Sequence, residues 1–219
     1  MTAAFAVTIV LTIVIGLWLD ARAWPWAQPA VAAWTWMLFA LLCWRAEPGR
    51  RAVWLVCLAW ATFGEIVLSL LWGLYDYRLG NLPLFVPPGH VLLFALGMWI
   101  TDRLPDALPS AVPPLAAGLV IAFAWLQGDT ISLPLFAFFL LCVRCGPAPK
   151  LYGTMFVLAL LMELYGTALG NWTWGILVPG LPLTAANPPL AAGAFYCVLD
   201  WLAGLHGRRG DEPGLPAAR

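Results

Sequence analysis

The chain has 219 residues, of which 63% are hydrophobic and 10% are charged, and its formal net charge is zero. Since soluble domains carry about 25% charged residues, this composition excludes a soluble globular protein and indicates one that crosses a membrane several times. The zero net charge argues against a nucleic-acid partner.

Eight apolar segments are typical of membrane-spanning helices, which need about 20 apolar residues. They cover residues 3–19, 29–44, 52–75, 89–104, 114–127, 133–143, 151–170 and 189–206, and the sixth is short for a full span. The first segment lacks a basic flank and a clear cleavage site, so we expect a retained helix rather than a signal peptide. The predicted fold class is an all-α, polytopic integral membrane bundle of about eight transmembrane helices. It forms one transmembrane domain, residues 1–207, followed by a polar cytoplasmic tail, residues 208–219.

Basic residues are distributed unevenly between the two sides of this predicted bundle. One side holds nine, namely Arg45, Arg50, Arg51, Arg103, Arg144, Lys150, Arg208, Arg209 and Arg219. The other side holds only Arg22 and Arg78. Because basic residues favour the cytoplasmic side, both termini are predicted to be cytoplasmic, in a bacterial inner membrane. The loops 76–88 and 171–188 then lie together on the outer side.

The two halves of the chain share a spacing of acidic residues. Glu65 and Asp102 lie 37 residues apart, as do Glu163 and Asp200, and the two pairs are offset by 98 residues. A Tyr-x-Tyr motif at 75–77 has a counterpart in a Trp-x-Trp motif at 172–174. This pattern predicts two parallel four-helix repeats, residues 1–105 and 106–207, related by an axis along the membrane normal.

Three carboxyl groups in apolar segments are the candidate catalytic residues, Glu65, Glu163 and Asp200. An ionisable residue inside a membrane helix costs about 2.5–3.5 kcal/mol on insertion scales and is a functional candidate by default. A buried carboxyl group retains its proton more readily, so one glutamate could act as a general acid and the other as a base. Alternatively, each glutamate only hydrogen-bonds to a neighbouring helix. Asp200 either joins the site or pairs with a basic residue at the interface.

The outer loops supply the candidate substrate-binding residues, which are Tyr75, Asp76, Tyr77, His90, Asn171, Trp172, Trp174 and Asn187. Aromatic rings can line an apolar pocket and stabilise a cation, although an interfacial aromatic belt is the alternative for the tryptophans. His90 could transfer protons near neutral pH or donate a hydrogen bond at a helix start. We expect Asp76 and Arg78 to form an ion pair that shapes the first loop.

No metal site or cofactor is predicted from the sequence. The two histidines, His90 and His206, fall on opposite sides of the predicted bundle, and no P-loop or dinucleotide-binding glycine pattern is present. The five cysteines are an odd number and lie mostly in apolar runs, which is typical of small buried hydrophobic residues. Cys142-x-x-Cys145 could be a redox or metal pair, but no second CxxC motif accompanies it.

The two outer stretches resemble a membrane carotenoid-biosynthesis family that includes the bacterioruberin-type carotenoid hydratases. Its helix glutamate, Gly/Tyr-rich loop and proline re-entry are matched by Glu65, Tyr75, Tyr77, Leu79-Gly80 and Leu82-Pro83 through Val86-Pro87. A later G-x-W-x-W element followed by Pro and Asn is matched by Gly170, Trp172, Trp174, Pro182 and Asn187. The chain is also similar in size and helical character to small membrane-bound terpene cyclases, with Glu65 and Asp200 in the places of their two carboxylates.

Both resemblances imply one chemistry, in which a buried carboxylic acid protonates an alkene or epoxide of an isoprenoid lipid. Aromatic rings then stabilise the carbocation until water adds or a ring closes. The expected partners are therefore a lipophilic small-molecule substrate and membrane lipids. The alternative is a small-molecule or lipid transporter or binding protein without catalysis, since parallel repeats with broken helices also occur in transporters.

Overall fold

A computed structural model of the chain describes residues 1–22 and 24–207. Its helices, in chain order, are α1 (Ala3–Asp20), α2 (Ala27–Arg45), α3 (Pro48–Glu65), α4 (Val86–Thr101), α5 (Ala107–Leu126), α6 (Ser132–Cys145), α7 (Pro149–Leu169) and α8 (Ala194–Gly207). The all-α class predicted from the sequence is confirmed. The predicted tail, residues 208–219, lies outside the described residues.

Five helical stretches are long and apolar enough to cross a membrane. They are α1, α2, α3 with its continuation to Leu71, α5 and α7. The other three are shorter apolar helices, of 16 residues in α4 and 14 residues in each of α6 and α8. Large apolar side chains are exposed on the outside of the bundle, as at Leu115, Ile121 and Trp125. Exposed apolar surface of this kind fits contact with lipid rather than water.

Two helices that contain prolines begin earlier than the sequence predicted. The Pro87-Pro88 pair lies in the first turn of α4, which begins at Val86, because the N–H groups of a first turn need no helical partner. Pro113 and Pro114 lie inside α5, which begins at Ala107 instead of residue 114. The last predicted helix was also misplaced, since α8 begins at Ala194 instead of residue 189.

The hydrogen-bonding pattern of α3 changes directly after Glu65. Residues Ile66–Leu71 form a π-helical segment, and the Trp72 N–H donates to the carbonyl of Val67 five residues earlier, at 2.8 Å. The predicted continuous helix to residue 75 is therefore wrong in its last part. π-Helical turns are rare and often occur at functional sites. The π-helical segment therefore supports Glu65, the residue directly before it, as a functional candidate.

Two three-residue strands join the outer loops, a feature that the sequence analysis did not predict. Strands β1 (Tyr75–Tyr77) and β2 (Trp172–Trp174) pair antiparallel, and the register is Tyr75–Trp174, Asp76–Thr173 and Tyr77–Trp172. The four aromatic residues are buried and the two middle residues are exposed. Because alternate residues of a strand point to opposite faces, all four rings point into the bundle.

Helix α4 lies at the centre of the bundle, in contact with α1, α2, α3 and α7. Its residues 91–96 are all less than 5% exposed, as expected for a helix that is apolar on every side. Contacts between the halves are reciprocal, since α3 packs on α8 and α7 packs on α4. This arrangement fits an approximate two-fold axis that passes through the β1–β2 pair and relates the two halves of the chain. That the two halves are repeats of one ancestral sequence stays a prediction.

Candidate functional site

Both membrane glutamates, Glu65 and Glu163, line one cavity. The cavity itself holds about 80 Å³, or about 690 Å³ when the open space at its mouth is counted, and its walls come mainly from α1, α2, α4, α7 and the two strands. Most of the wall is apolar, with Ile9, Ile13, Leu17, Val31, Phe85, Val86, Leu92 and Met162 among the lining residues. The structure therefore brings one predicted catalytic carboxyl group from each half of the chain to a shared apolar space.

Glu65 is held by three hydrogen-bonding partners. The hydroxyls of Tyr75 and Tyr77 donate to Oε2 at 2.9 and 2.6 Å, and Nε2 of His90 lies 2.6 Å from Oε1. Burial, together with the Glu65 carboxyl, raises the pKa of Tyr75 and of Tyr77, so both phenols keep their protons and act as donors. Glu65 is only 7% exposed, and these partners satisfy its buried oxygens and fix its orientation.

His90 links Glu65 to a tyrosine that the sequence analysis missed. Its second ring nitrogen, Nδ1, lies 2.6 Å from the hydroxyl of Tyr196 on α8. A protonated imidazole, or the neutral tautomer with its hydrogen on Nε2, can bridge the Tyr196 hydroxyl and a charged Glu65, so Tyr196, His90 and Glu65 form a continuous path for a proton. The apolar surroundings of Tyr196 in the sequence contain no signal for this contact.

Glu163 is held in the same way by the strand of its own half. The indole Nε1 atoms of Trp172 and Trp174 donate to Oε2 at 2.8 and 2.9 Å. Each glutamate thus receives two aromatic donors from the strand that follows it, phenols in the first half and indoles in the second. All side-chain hydrogen bonds described for Glu163 go to Oε2, which leaves Oε1 available to hold a proton.

Close packing of Trp172 on α7 depends on Gly166. A Cβ atom added at Gly166 would overlap the six-membered part of the indole ring. We expect Gly166→Ala to displace the indole from Glu163 and to lower the free energy of unfolding by about 1–3 kcal/mol, as measured by thermal unfolding in detergent. Gly118→Ala on α5 is the matched control, because nothing lies within 4 Å of an added Cβ there. Equal stability of the two variants would contradict this account.

Arg78 pairs with Asp20, at the end of α1, and not with Asp76 as predicted. Nη2 of Arg78 lies 3.8 Å from Oδ1 of Asp20 and also donates to the Asp20 carbonyl. Asn171 donates from Nδ2 to Oδ2 of Asp20 at 2.8 Å and to the Leu17 carbonyl at 3.0 Å. Asp76 is exposed on β1 and does not line the cavity. Asp20 and Asn171 therefore anchor the two strands to α1.

Three other predicted site residues lie behind or away from the cavity wall. Oδ1 of Asn187 accepts the backbone N–H of Trp174 at 3.0 Å, so Asn187 positions β2. The ring of Trp174 packs against Tyr75, with centroids 4.7 Å apart and the ring planes tilted by 46°. Asp200 lies beside Tyr152 and Cys197 and is not part of the cavity lining. The structure therefore does not place Asp200 on the space that the two glutamates share.

A second buried aspartate, Asp129, was also missed by the sequence analysis. It is fully buried, accepts the Ser132 hydroxyl at 2.6 Å, and accepts the Leu190 N–H at 2.9 Å. It therefore fixes the loop before α8 to the start of α6. A single aspartate in a short polar turn is too common a feature to predict such a role.

Within residues 1–22 and 24–207, no group of three or more His, Cys, Asp or Glu side chains is placed to hold a metal ion, and the five cysteines are unpaired. Comparison of the chain with protein-family models, curated proteins and solved structures finds no match. The chemistry of the site must therefore be inferred from its residues and their geometry.

Proposed function

We propose that this chain is an integral membrane enzyme that acts on an isoprenoid or carotenoid-type lipid by acid–base carbocation chemistry, ending in hydration or cyclisation. The observation that supports this proposal best is the shared apolar cavity, onto which Glu65 and Glu163 each present a carboxyl group. An apolar wall with few polar groups suits a hydrocarbon, and two carboxyl groups suit proton transfer at its double bonds. The proposed chemistry uses no cofactor.

The different surroundings of the two carboxyl groups suggest different roles. Three partners surround Glu65, and hydrogen bonds to a carboxylate favour its charged form. Glu65, backed by His90, is therefore the proposed base. Glu163 uses only Oε2 for its described hydrogen bonds, so a proton on Oε1 is free to be donated. Glu163 is the proposed general acid.

The proposed reaction starts when Glu163 gives its proton to one carbon of a double bond, whose electron pair forms the new C–H bond. The adjacent carbon becomes a carbocation. In hydration, the oxygen of water bonds to that carbon and the released proton goes to Glu65. In cyclisation, a second double bond attacks the cation, and Glu65 removes a C–H proton beside the new cation. One proton leaves the protein and one returns, so its net proton count is unchanged.

Aromatic rings on the cavity wall can stabilise the intermediate cation. Tyr75, Tyr77 and Trp172 all line the cavity, and ring faces attract cations by about 2 kcal/mol or more where water is excluded. Their hydrogen bonds to the two carboxyl groups fix the rings before a substrate binds. The aromatic strands would thereby orient the acid and the base and also stabilise the charge that forms between them.

The proposed location is a bacterial inner membrane with both termini in the cytoplasm. The bounds of α2, α3, α4, α6 and α7 put six of the nine basic residues counted on that side at one end of the bundle, opposite the β1–β2 pair. Because basic residues favour the cytoplasmic side, the two strands and the loops that contain them would lie at the outer leaflet.

Isotope incorporation tests the proposed chemistry directly. The purified chain would be incubated with acyclic isoprenoid polyenes in deuterated water and, separately, in water labelled with oxygen-18. We expect one carbon-bound deuterium in the product, because the acid exchanges its proton with the solvent. Oxygen-18 in the product would indicate hydration, and its absence from a deuterated product would indicate cyclisation. A lipid that stays bound or crosses the membrane without either label would overturn the proposal in favour of a transporter or binding protein.

A further inference from the structure

The wall of the cavity is thin where α1 packs on α2. Four residues of these helices line the cavity at this place, Thr12, Gly16, Val31 and Thr35. On the outer face of the same helix pair lies a groove of about 800 Å³, including its open side. Thr12, Gly16 and Val31 line both the cavity and the groove, so a single layer of side chains separates them.

The groove faces the surroundings of the bundle through apolar side chains. Leu11 and Ile15 on α1 are both 50% exposed, and Trp34 on α2 is 47% exposed. Both helices are long and apolar enough to cross a membrane, so this face would contact lipid chains. A hydrocarbon in the groove would remain in apolar surroundings on its way to the cavity.

Two side-chain hydrogen bonds hold α1 and α2 together along this line. Trp34 donates from Nε1 to Oγ1 of Thr12 at 2.9 Å, and Gln28 donates from Nε2 to Oδ1 of Asp20 at 3.2 Å. Gly16 lies between them in the α1 sequence, and its lack of a side chain lets α1 approach Val31 of α2 closely. A Cβ atom added there would lie 3.2 Å from Cγ1 of Val31. The layer between the cavity and the groove therefore consists of the contact between Gly16 and Val31 and the neighbouring hydrogen bond between Trp34 and Thr12.

We propose that the line of contact between α1 and α2, at Thr12, Gly16, Val31 and Trp34, is a lateral portal through which the linear hydrocarbon chain of the lipid substrate passes from the bilayer to the two carboxyl groups. This inference rests on the proposed function and names the route and the shape of its substrate. Gly16 sets the width of the portal, and breaking the Trp34–Thr12 hydrogen bond opens it. A narrow, acyclic chain end passes, whereas a chain end that carries a ring is retarded.

Photo-labelling tests the portal without depending on catalysis. The chain, reconstituted in phosphatidylcholine vesicles, would be exposed to a linear C16 alcohol with a terminal diazirine and irradiated after increasing times. Mass spectrometry would then quantify label on the peptides that hold Glu65 and Glu163. We expect Gly16→Leu to slow labelling of these cavity residues by about tenfold, because its side chain obstructs the route and lowers the rate of association. Thr12→Val, which removes the hydrogen bond from Trp34 together with the local bond that the Thr12 hydroxyl donates to the Thr8 carbonyl, should speed labelling.

Gly118→Leu on α5 is the matched control, since it makes the same change at a place where nothing lies within 4 Å of an added Cβ. It should label like the wild type, and label on the exposed residue Leu11 should be equal in every variant. Equal rates of cavity labelling in the wild type and Gly16→Leu would overturn the portal, as would an unlabelled cavity in the wild type. Blocked labelling in Gly16→Leu without isotope incorporation in the wild type would support the portal and overturn the enzymatic chemistry alone.

Discussion

Replacing Glu163 by Gln is expected to reduce product formation by about 10²–10⁴-fold, which is the usual contribution of a general acid or base. The amide has no acidic proton to donate to a double bond. Its oxygen can still accept the two indole N–H groups of Trp172 and Trp174, which lie 2.8 and 2.9 Å from Oε2 in the wild type. The fold should therefore survive while the chemistry is lost. Analysis of lipid products, together with thermal unfolding of the same purified samples, checks both parts of this result.

Glu47→Gln is the matched control for this variant. Glu47 is exposed just before α3, at the other end of that helix from Glu65, and its side chain makes no capping hydrogen bond. The same chemical change there should leave product formation at the wild-type level. Activity of Glu163→Gln close to that of Glu47→Gln would show that Glu163 only holds β2 in place.

Asp20→Ala is expected to lower the free energy of unfolding by roughly 3 kcal/mol. Asp20 is 2% exposed and accepts side-chain hydrogen bonds from Gln28 and Asn171, next to the Arg78 guanidinium. Without the carboxylate, Asn171 would retain a buried amide donor with one partner fewer, and the nearby positive charge would lose its counter-ion. Since Asn171 directly precedes β2, the strand that holds Glu163 should loosen as well. Thermal unfolding in detergent would measure the loss.

Asp76→Ala serves as the comparison, because Asp76 is an exposed aspartate in the middle of β1. A surface substitution without buried contacts usually changes stability by less than about 0.5 kcal/mol. The structure therefore predicts a large difference between Asp20, which the sequence analysis did not single out, and Asp76, which it placed among the candidate site residues. Similar melting temperatures for Asp20→Ala and Asp76→Ala would contradict the anchoring role of Asp20.

The two glutamates could be identified from the sequence because a charged residue interrupts an apolar run. Such a residue in a membrane helix needs a partner inside the protein, which makes Glu65 and Glu163 functional candidates. Their spacing from the aromatic motifs was also visible, ten and nine residues before Tyr75 and Trp172. Asp200 satisfied the same rule and yet lies off the cavity, since the rule predicts burial and cannot say which neighbours a helix face will meet.

Contacts between distant segments were the part that could not be predicted. Tyr196 lies 106 residues from His90 along the chain, and its hydroxyl meets the imidazole only because α8 packs on α3, the helix that ends at Glu65. The same holds for Asp20, which is 151 residues from Asn171. An isolated tyrosine or aspartate near a helix end has many local explanations, so its true partner depends on which helices become neighbours.

Composition and spacing were sufficient to predict an all-α membrane bundle, two matched acidic helices and two aromatic loops, because these features depend on hydrophobicity and on short stretches of sequence. Only the tertiary structure decided how the halves meet. Antiparallel pairing of β1 with β2 brings the phenols of one half against the indoles of the other and places both carboxyl groups on one cavity. That pairing arises from backbone hydrogen bonds between segments about 100 residues apart, which no local pattern of side chains specifies.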